Sequence, residues 1–392
     1  MRSIKDEPDL KQKKVLLRLD LNVPLDNEII TDTTRIDKIL PTLNFLIKQN
    51  SKIIILSHVG RPKGKIINEL TLKPICEDLS NKLNHNVKLI KENINQINRN
   101  NLFKNNGEKI VMLENIRFYS EEEKNNQEFA KQLATLGDIY VNDAFSCSHR
   151  AHASIDEITN FLPCYSGLQL DSEVDALKKI TSEIKKPITC IIGGSKVSTK
   201  INIIKNLIPK FDNIIIVGGM ANNIIKYMGN QIGKSLNEEN CDPIIKEIIS
   251  LSETENCKII YPQDAVVGKN LNGIPQTKEL SEISSDEMIL DIGPKTIGII
   301  KNIIDKSNTI LWNGPAGYFE NPSFANGSIE IAKKIIENNK SNKIYSVAGG
   351  GDTVSLLNSL NAVNDFNFVS TAGGAFLEYL EGKELPGIKA LN

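Results

Sequence analysis

Short, nearly continuous runs of valine, isoleucine and leucine recur along this chain, and each ends in a polar or glycine-rich turn. The runs lie in KKVLLRLDLNVP, SKIIILSHVGRP, EKIVMLENIRF and DIYVNDAFS in the first half, and in ITCIIGGSK, NIIIVGGMA, MILDIGPKT, TILWNGPAG, IYSVAGGGDT and FNFVSTAGGA in the second. Because apolar and polar residues do not alternate within them, the runs predict strands that are buried on both faces. We therefore expect parallel sheets in both halves.

Helical patterns lie between several of these runs. In STKINIIKNLIPKF, the hydroxyl groups of Ser198 and Thr199 are predicted to cap a helix that ends before Pro209. Further helices are predicted after Asp352 and after Gly374. The repeated order of strand, turn and helix predicts an α/β fold with doubly wound parallel sheets, in which ligands bind beyond the carboxyl ends of the strands.

The length of the chain predicts two domains. Its 392 residues exceed what one hydrophobic core usually serves, so we expect each half to form its own core. The charged stretch DSEVDALKKITSEIKKP predicts a helix that ends before Pro187 and joins the halves. We therefore predict a first domain over 1–168, a linking hinge helix over 169–186 and a second domain over 187–379.

The composition argues against several kinds of partner. A formal net charge of −1 gives no bias towards nucleic acid or an anionic membrane. The N-terminus lacks an apolar signal core, and no run approaches the roughly 20 apolar residues of a membrane-spanning helix. The six cysteines form no C-x-x-C pair, which favours reduced thiols and a cytoplasmic location. No coiled-coil seam is present, so we expect a monomer that binds small molecules.

Arginine and histidine are confined to the first part of the chain. All seven arginines and all four histidines precede residue 153, whereas lysines are spread throughout. A guanidinium group grips carboxylates and phosphates through two bonds at once, which a lysine ammonium cannot do. The first half is therefore predicted to bind an anion at its strand ends, which carry Arg18, Asp20, Asn22, His58, Arg61, Arg117 and Asp143.

The stretch SHRAHAS, residues 148–154, has three interpretations. Its two histidines, with Asp143 and Cys147 upstream, could bind a metal ion, although their spacing matches no zinc motif. Cys147 and a histidine could form a nucleophile and its base, although no oxyanion turn surrounds the cysteine. Arg150 could instead bind an anion with help from an imidazole group. These residues alone leave the alternatives open.

The second half has glycine turns at its strand ends. It lacks the P-loop string G-x-x-x-x-G-K-[ST], and it also lacks G-x-G-x-x-G, which argues against the alternative of a nicotinamide-dependent dehydrogenase. Lys196 and Lys200 are four residues apart and are predicted to share one face at a helix start. In GGGDT the backbone amides can hold phosphate, and Asp352 is a candidate Mg²⁺ ligand.

Together these strings resemble the phosphoglycerate kinase family, in family order and nearly from end to end. The motifs are RLDLNVP, TDTTRI, SHVGRP, LENIRF, NDAF with HRAHAS, GGSKVSTK, VGGMA, LDIGPKT, WNGPAGYFE, GGGDT and EGKELPGIKAL. The resemblance implies reversible phosphoryl transfer from 1,3-bisphosphoglycerate to Mg-ADP, giving 3-phosphoglycerate and ATP. It also implies two Rossmann-like domains that face each other across a hinge cleft, with the tail of about 380–392 returning to the first domain.

The resemblance assigns residues to the two substrates. The triose-phosphate side comprises Asp20, Asn22, Arg35, His58, Arg61, Arg117 and Arg150. The predicted nucleotide side comprises Lys196, Lys200, Asn313, Glu320, Gly350, Gly351, Asp352 and Thr353, with Asp352 also on Mg²⁺. On this interpretation HRAHAS belongs to a basic pocket for a phosphorylated acid, and no metal is required there.

The implied chemistry needs no general base, because a carboxylate with a pKa of about 4 and a nucleotide phosphate are already ionised at neutral pH. Arg35 and Lys200 are expected to balance the charge of the transferred group, with the amides of Gly373 and Gly374 around it. Closure of the cleft is expected to align the substrates and to exclude water. The remaining alternative is a binding protein without catalysis, and the presence of Arg35 and Lys200 argues against it.

Three places depart from the usual family pattern. Ala372 stands where a third glycine is typical, Ser195 stands where alanine is usual, and SCS at 146–148 replaces a smaller, glycine-containing run. If the turn at Ala372 required a positive φ, its Cβ would destabilise the turn by about 1 kcal/mol and displace the Gly373 amide. We therefore expect lower turnover rather than lost activity.

Overall fold

All ten apolar runs form strands, and nine of them belong to two six-stranded parallel sheets. The computed structural model describes residues 1–104 and 107–392, and the chain divides into two compact units. Unit 1 comprises 1–175 and 384–392, and unit 2 comprises 176–383. Each unit contains one of the parallel sheets, which confirms the predicted fold class.

Unit 1 is built on the first parallel sheet. The strands of unit 1 are β1 (Lys14–Leu19), β2 (Leu25–Asp26), β3 (Ile29–Ile30), β4 (Lys52–Leu56), β5 (Val87–Ile90), β6 (Ile110–Leu113), β7 (Ile139–Asp143) and β8 (Cys164–Ser166). Its helices are α1 (Thr34–Lys48), α2 (Lys73–Leu83), α3 (Ser120–Glu123), α4 (Gln127–Ala134) and α5 (Leu168–Thr181), the last of which continues into unit 2. The sheet order is β5-β6-β4-β1-β7-β8, and α1 and α2 pack their apolar side chains against it.

Unit 2 is built on the second parallel sheet. Its strands are β9 (Ile188–Ile192), β10 (Asn213–Ile216), β11 (Lys258–Ile260), β12 (Asp264–Gly268), β13 (Gln276–Glu279), β14 (Met288–Ile292), β15 (Thr309–Asn313), β16 (Tyr345–Gly349) and β17 (Phe368–Ser370). Its helices are α6 (Ile201–Leu207), α7 (Gly219–Tyr227), α8 (Asp242–Thr254), α9 (Pro294–Lys306), α10 (Asn326–Lys340), α11 (Gly351–Ser359) and α12 (Gly374–Leu380). The short helix α13 (Pro386–Lys389) belongs to unit 1.

The two parallel sheets differ in strand order. In unit 2 the order is β11-β10-β9-β15-β16-β17, which corresponds to the Rossmann order 3-2-1-4-5-6. In unit 1, β6 lies between β4 and β5, so its order differs from that of the Rossmann fold. In both units the order reverses beside the first strand of the sheet, and ligands bind at such a reversal in open α/β sheets.

One apolar run does not join a parallel sheet. MILDIGPKT contributes β14, which pairs antiparallel with β12 in a three-stranded sheet that also contains β13. The last three residues of β14 are buried, and its sequence is as apolar as that of the nine runs in the parallel sheets. Its partner β13 has the polar sequence QTKE, which carries no strand pattern, so the antiparallel pairing was not predicted.

Two helix boundaries also differ from the predictions. Helix α6 begins at Ile201 with Lys200 as its N-cap, and the Ser198 hydroxyl donates to Glu238 at 2.5 Å instead of capping the helix. The helix that joins the predicted domains, α5, ends at Thr181 and not at residue 186. The Ser198 contact spans 40 residues of sequence, which a local capping pattern cannot reveal.

Two further observations bear on the composition. Among residues 1–104 and 107–392, the structure contains no helix long and apolar enough to cross a membrane. The six cysteines are all free thiols.

Asp264 of β12 caps helix α9. Its carboxylate accepts hydrogen bonds from the backbone N–H groups of Lys295 and Thr296, each at 2.8 Å. Gly293 precedes the helix, and a Cβ atom there would lie 2.3 Å from that carboxylate. The start of α9 therefore requires both the carboxylate and the absence of a side chain at residue 293.

We predict that Gly293→Ala lowers the free energy of unfolding of unit 2 by about 1–3 kcal/mol, because the added methyl group displaces Asp264. The matched control is Gly298→Ala within α9, where a Cβ atom meets nothing within 4 Å. Removing a glycine from a helix interior should stabilise by about 0.5–1 kcal/mol. Trp312, the single tryptophan, is buried in unit 2, so its fluorescence during denaturation measures both effects. Equal midpoints for the two variants would contradict the prediction.

Candidate active site

The strand order of unit 1 reverses between β1 and β7. Leu19 at the end of β1 pairs with Asp143 at the end of β7. The residues that follow the two strands therefore lie side by side, and the Ser146 hydroxyl donates a hydrogen bond to Asp20. A polar site thus begins where the fold predicts one.

Asp20 is nearly buried and accepts hydrogen bonds from three groups. Its Oδ1 accepts from the backbone N–H of Asn22 at 3.1 Å. Its Oδ2 accepts from the guanidinium of Arg35 at 2.5 Å and also from the Ser146 hydroxyl. The Arg35 side chain, near the start of α1, is 31% exposed, so it remains accessible to a ligand.

A second set of contacts links Asn22 to Arg117 through Gly60. The Asn22 Oδ1 accepts from the Gly60 N–H at 2.9 Å, and the Gly60 carbonyl accepts from Arg117 at 3.0 Å. Gly60 has a φ of +66°, and a Cβ atom there would lie 2.7 Å from Leu70, so this turn requires glycine. Arg117 Nε is a buried donor that has no hydrogen-bond partner among the described residues, although Glu123 Oε1 lies 3.7 Å from it in an ion pair.

Arg18 is fully buried, which corrects the prediction that it presents its side chain at the strand end. Its Nε donates to Ser154 Oγ at 2.9 Å, and its NH2 lies 3.1 Å from His58 Nδ1. Because a guanidinium can only donate, Nδ1 of His58 accepts, and the proton of the neutral ring lies on Nε2. Arg18 therefore sets the tautomer of His58.

The pKa values of two histidines show that positive charges converge here. Burial and the guanidiniums of Arg18 and Arg117 lower the pKa of His58 well below its ordinary value. Burial, Arg117 and Arg18 lower the pKa of His152 to about 4, and Arg150 also contributes. Both imidazoles are therefore neutral at pH 7, and the arginines carry the positive charge.

Two predicted residues lie apart from these contacts. Arg61 follows Gly60 and has an exposed side chain. Arg150 is also exposed, and its Nε donates to His149 Nε2 at 3.2 Å. The other five predicted residues of the triose-phosphate side are brought together: Asp20, Asn22, Arg35, His58 and Arg117.

Asp143, a ligand in the metal interpretation, has a structural role. Its carboxylate accepts from the Thr42 hydroxyl at 2.5 Å and from the Leu170 N–H at 2.9 Å. Burial raises the pKa of Asp143 to about 6. Asp143 thus joins α1 and α5 to the end of β7.

A different group has ligand atoms close together. Atoms of Asp20, His58 and Cys147 lie within 4.8 Å of one another. However, Arg18 contacts both His58 and Cys147, at 3.1 and 3.8 Å, and Arg35 binds Asp20. Burial raises the pKa of the Cys147 thiol, which disfavours the thiolate that a metal or a nucleophilic mechanism needs. The surrounding charge favours a bound anion over a cation.

A buried carboxylate balances the buried guanidinium. Glu122 is fully buried and accepts from the backbone N–H and the hydroxyl of Ser154, at 2.9 and 2.6 Å. The Ser154 hydroxyl in turn accepts from Arg18. Burial raises the pKa of Glu122, and Arg18 opposes that effect. The sequence did not indicate this role, because SEEEK is typical of a solvent-exposed helix face.

In unit 2 the strand order reverses between β9 and β15, where Ile192 pairs with Asn313. The Lys200 ammonium donates to Asn313 Oδ1, and Asn313 Nδ2 donates to the Gly349 carbonyl at 2.6 Å. Burial lowers the pKa of Lys200, and Asp352 opposes the shift. A half-buried ammonium thus stands at the switch point of this sheet.

Lys196 does not share a helix face with Lys200 as predicted. It is exposed, and both lysines precede Ile201, where α6 begins. The structure therefore brings only Lys200 to Asn313.

The turn after β16 has the predicted form. Gly350 has a φ of +98°, and a Cβ atom there would lie 2.5 Å from Asn313 Nδ2, so glycine is required. Helix α11 begins at Gly351, and the Thr353 hydroxyl accepts from the Gly314 N–H at 2.7 Å. Asp352 is exposed in the first turn of this helix.

A cavity of about 260 Å³ in unit 2 lies beside this turn. Its wall combines glycine and apolar side chains with three acidic residues, and includes Gly218, Leu236, Leu290, Asp291, Pro315, Glu320 and Asp352. An apolar wall suits a flat ring system, and the carboxylates can accept from hydroxyl groups or bind a cation.

The departures from the family pattern cause no backbone strain. Ala372 is buried and does not adopt a positive φ, whereas Gly373 does, at +51°. The destabilisation considered for Ala372 therefore does not arise. Gly373 precedes α12, which begins at Gly374. Ser195 follows β9 and lines the cavity.

We predict that acid weakens the wild-type protein more than the His152→Gln variant. The folded-state pKa of His152 is about 4, below its ordinary value of 6.5. Its contribution to stability is therefore complete above pH 6.5 and is lost as the pH falls towards 4, by an amount on the order of 3 kcal/mol. Denaturation followed by circular dichroism at several pH values measures the difference between the two proteins. A constant difference over this range would contradict the prediction.

Comparisons with known proteins agree with this geometry. The family model described as phosphoglycerate kinase matches residues 4–383. A phosphoglycerate kinase of Bradyrhizobium diazoefficiens is 46% identical over 388 residues, which cover 98% of this chain and 97% of that protein. A phosphoglycerate kinase of Wolbachia pipientis is 45% identical over 384 residues, with 97% of each chain covered.

Solved structures give the same result. The phosphoglycerate kinase of Coxiella burnetii has a TM-score of 0.91 and 38% identity, and the match covers 99% of this chain and 98% of that one. The enzyme of Pyrococcus horikoshii has a TM-score of 0.81 and 28% identity, with 100% and 98% covered. The alternative of a nicotinamide-dependent dehydrogenase is therefore wrong. With its family model, its relatives and its fold in agreement, the chain belongs to the phosphoglycerate kinase family.

Proposed function

We propose that this protein transfers a phosphoryl group reversibly between 1,3-bisphosphoglycerate and Mg-ADP, giving 3-phosphoglycerate and ATP. The observation that carries the proposal is the cluster of guanidiniums around Asp20 and His58 in unit 1. Such a cluster suits a small acid with several negative charges. The nucleotide binds in unit 2, and the reaction is a step of glycolysis and gluconeogenesis.

In unit 1 the acid is bound by charged and neutral groups together. The proposed residues are Asp20, Asn22, Arg35, His58, Arg61, Arg117 and Arg150. Neutral His58 donates a hydrogen bond from Nε2, and the Nε of Arg117, which makes no hydrogen bond to a described residue, provides a further donor. The carboxylate of Asp20 suits the hydroxyl group of the triose acid, because a carboxylate only accepts.

In unit 2 the nucleotide occupies the cavity beside Asp352. The proposed residues are Lys196, Lys200, Asn313, Glu320, Gly350, Gly351, Asp352 and Thr353. The apolar wall that includes Leu236 packs against the base, and Glu320 accepts from the ribose hydroxyls. The phosphates lie towards Lys200 and the start of α11, where free N–H groups favour negative charge.

Asp352 fits a Mg²⁺ ion bound with the nucleotide. Mg²⁺ takes oxygen ligands and is usually held by one or two carboxylates together with nucleotide phosphates. The Asp352 carboxylate is exposed and lines the cavity, so it is available for such a ligand set. Bound there, the ion supplies positive charge to the phosphates.

The residues of the chain align the reactants and balance their charge. In the forward direction, an oxygen of ADP forms a bond to phosphorus in line with the breaking bond to the carboxylate oxygen. The attacking oxygen is a nucleotide phosphate oxygen in this direction and a carboxylate oxygen in the reverse direction. Each is already ionised at neutral pH, so no general base is needed. Arg35 and Lys200 offset the charge on the transferred group, and the N–H groups of Gly373 and Gly374 bind its oxygens.

Because the two substrates bind different units, transfer requires the units to bring them together. We assign this movement to hinge bending near α5. The first domain of the proposal comprises 1–168 and about 380–392, and the second comprises 187–379. Closure would also exclude water, which hydrolyses acyl phosphates. The protein is proposed to act as a cytoplasmic monomer.

We predict that Arg35→Ala and Lys200→Ala each lower kcat by at least about a hundredfold, because each removes charge that stabilises the transition state. A coupled assay with Mg-ATP and 3-phosphoglycerate measures kcat, and circular dichroism verifies folding. The controls are Arg99→Ala in unit 1 and Lys246→Ala on α8, which should turn over like the wild type. Unaltered turnover in both Arg35→Ala and Lys200→Ala would refute the mechanism.

We also predict that Asp352→Asn raises the free Mg²⁺ concentration for half-maximal turnover about tenfold, because a neutral amide is a weaker ligand for a hard cation. Turnover at saturating substrates is measured against free Mg²⁺. The control is Asp242→Asn at the start of α8, another exposed carboxylate. An unchanged Mg²⁺ requirement would remove Asp352 from the proposed ligand set.

A further inference from the structure

Ser146 lies at the switch point of the unit 1 sheet. It follows β7 in a single 3-10 turn, Phe145–Cys147, and Asp20 follows the neighbouring strand β1. The Ser146 hydroxyl has one proton, which it donates to Asp20 Oδ2. This contact joins segments 126 residues apart, so the parallel register of the two strands creates it.

Arg35 and Ser146 share one oxygen of Asp20. Oδ2 accepts from both, whereas Oδ1 is held by the backbone N–H of Asn22. Asp20 is only 8% exposed, so water can replace a lost partner only in part. A nearly buried carboxylate oxygen without a donor is strongly disfavoured. The number of donors that remain on Oδ2 therefore determines how easily Arg35 can leave.

We propose that Ser146 is a positioning residue that allows Arg35 to leave Asp20 and bind the transferred phosphoryl group. The proposal rests on the function proposed above, in which Arg35 acts on that group. When the guanidinium leaves, the Ser146 hydroxyl keeps Oδ2 hydrogen-bonded and holds the carboxylate plane in place. Among the described contacts, Arg35 is the only other side chain that donates to Asp20 Oδ2. When the Ser146 hydroxyl is removed, Arg35 therefore stays paired with Asp20.

The neighbouring Ser148 shows what a purely structural serine looks like here. It is fully buried, and its hydroxyl donates to the Ala144 carbonyl at 3.3 Å. It has no described contact with Asp20, although it is two residues from Ser146. Ser148→Ala is therefore a matched control, in which a hydroxyl is lost from the same turn without a change at Oδ2.

The test compares Ser146→Ala, Ser146→Thr and Ser148→Ala in the full-length protein. Ser146→Ala is expected to lower kcat about tenfold and to leave KM for the nucleotide unchanged. The reason is that the hydroxyl group acts during phosphoryl transfer and not during nucleotide binding. Ser146→Thr keeps the hydroxyl and should restore kcat to within about twofold of the wild type. Ser148→Ala should lower stability without lowering kcat. Wild-type kcat in Ser146→Ala would overturn the proposal.

A double-mutant cycle separates positioning from a general structural effect. If Ser146 acts through Arg35, adding Ser146→Ala to Arg35→Ala should lower kcat by less than about twofold further. If the two losses multiply instead, Ser146 does not act through Arg35, and the proposal fails.

A measurement that needs no turnover separates this inference from the proposed function. Because Nη1 of Arg35 donates to Asp20, ¹⁵N NMR resonances of the arginine Nη groups, with Arg35 assigned from the Arg35→Ala spectrum, report how tightly the guanidinium is held. Exchange of the Arg35 Nη1 protons should be slower in Ser146→Ala than in the wild type, and unchanged in Ser148→Ala. An inactive wild-type protein would contradict the proposed function, whereas equal exchange rates would overturn the role of Ser146 alone.

Discussion

The parallel, in-register pairing of β1 with β4 and β7 is the constraint on which the proposed anion site of unit 1 depends. Arg18 pairs with Leu56, and Leu19 pairs with Asp143, so the three strands end at the same level. The turns that follow them are therefore adjacent, although they are far apart in sequence. A shift of one residue would exchange Arg18 with an apolar neighbour and reverse the two faces of the strand. The register thus fixes both the core and the site.

The buried charges beneath the site follow from this packing. Arg18 has no access to solvent, and its charge is balanced through Ser154 by Glu122, which is also fully buried. Two opposite buried charges add little net stability, but removing one of them is strongly destabilising. What the arrangement provides is a fixed guanidinium against His58, which sets the tautomer of the imidazole and, together with burial as the larger cause, lowers its pKa. The His58 imidazole can then donate a hydrogen bond among the arginines without adding a further positive charge.

The features predictable from sequence are those set by local pattern. The apolar runs predicted the strands, and the confinement of arginine to the first half predicted a basic site there. Of the seven residues that the family resemblance assigned to this site, the structure brings five together. The failures concern partners distant in sequence. Arg18 lies in the buried strand β1, whose sequence pattern does not distinguish an accessible arginine from one linked through Ser154 to Glu122. Lys196 and Lys200 have helical spacing, but α6 begins after both. β14 has the composition of a parallel strand, and only its pairing with β12 shows otherwise.

The two units offer different groups to the anions that we propose they bind, and this difference suits the proposed ligands. Unit 1 offers guanidiniums and a carboxylate, because a short acid has few atoms and each must be recognised by a side chain. Unit 2 offers glycine turns, helix starts and one half-buried lysine, because phosphates accept from any N–H group. Side chains that bind charge must first leave the partners that hold them in the free protein. Arg35 is bound to Asp20 and Lys200 to Asn313, so in the proposed mechanism each side chain must exchange that acceptor for the transferred group. The free energy of that exchange, and not the presence of the charges alone, decides how much they contribute to the rate.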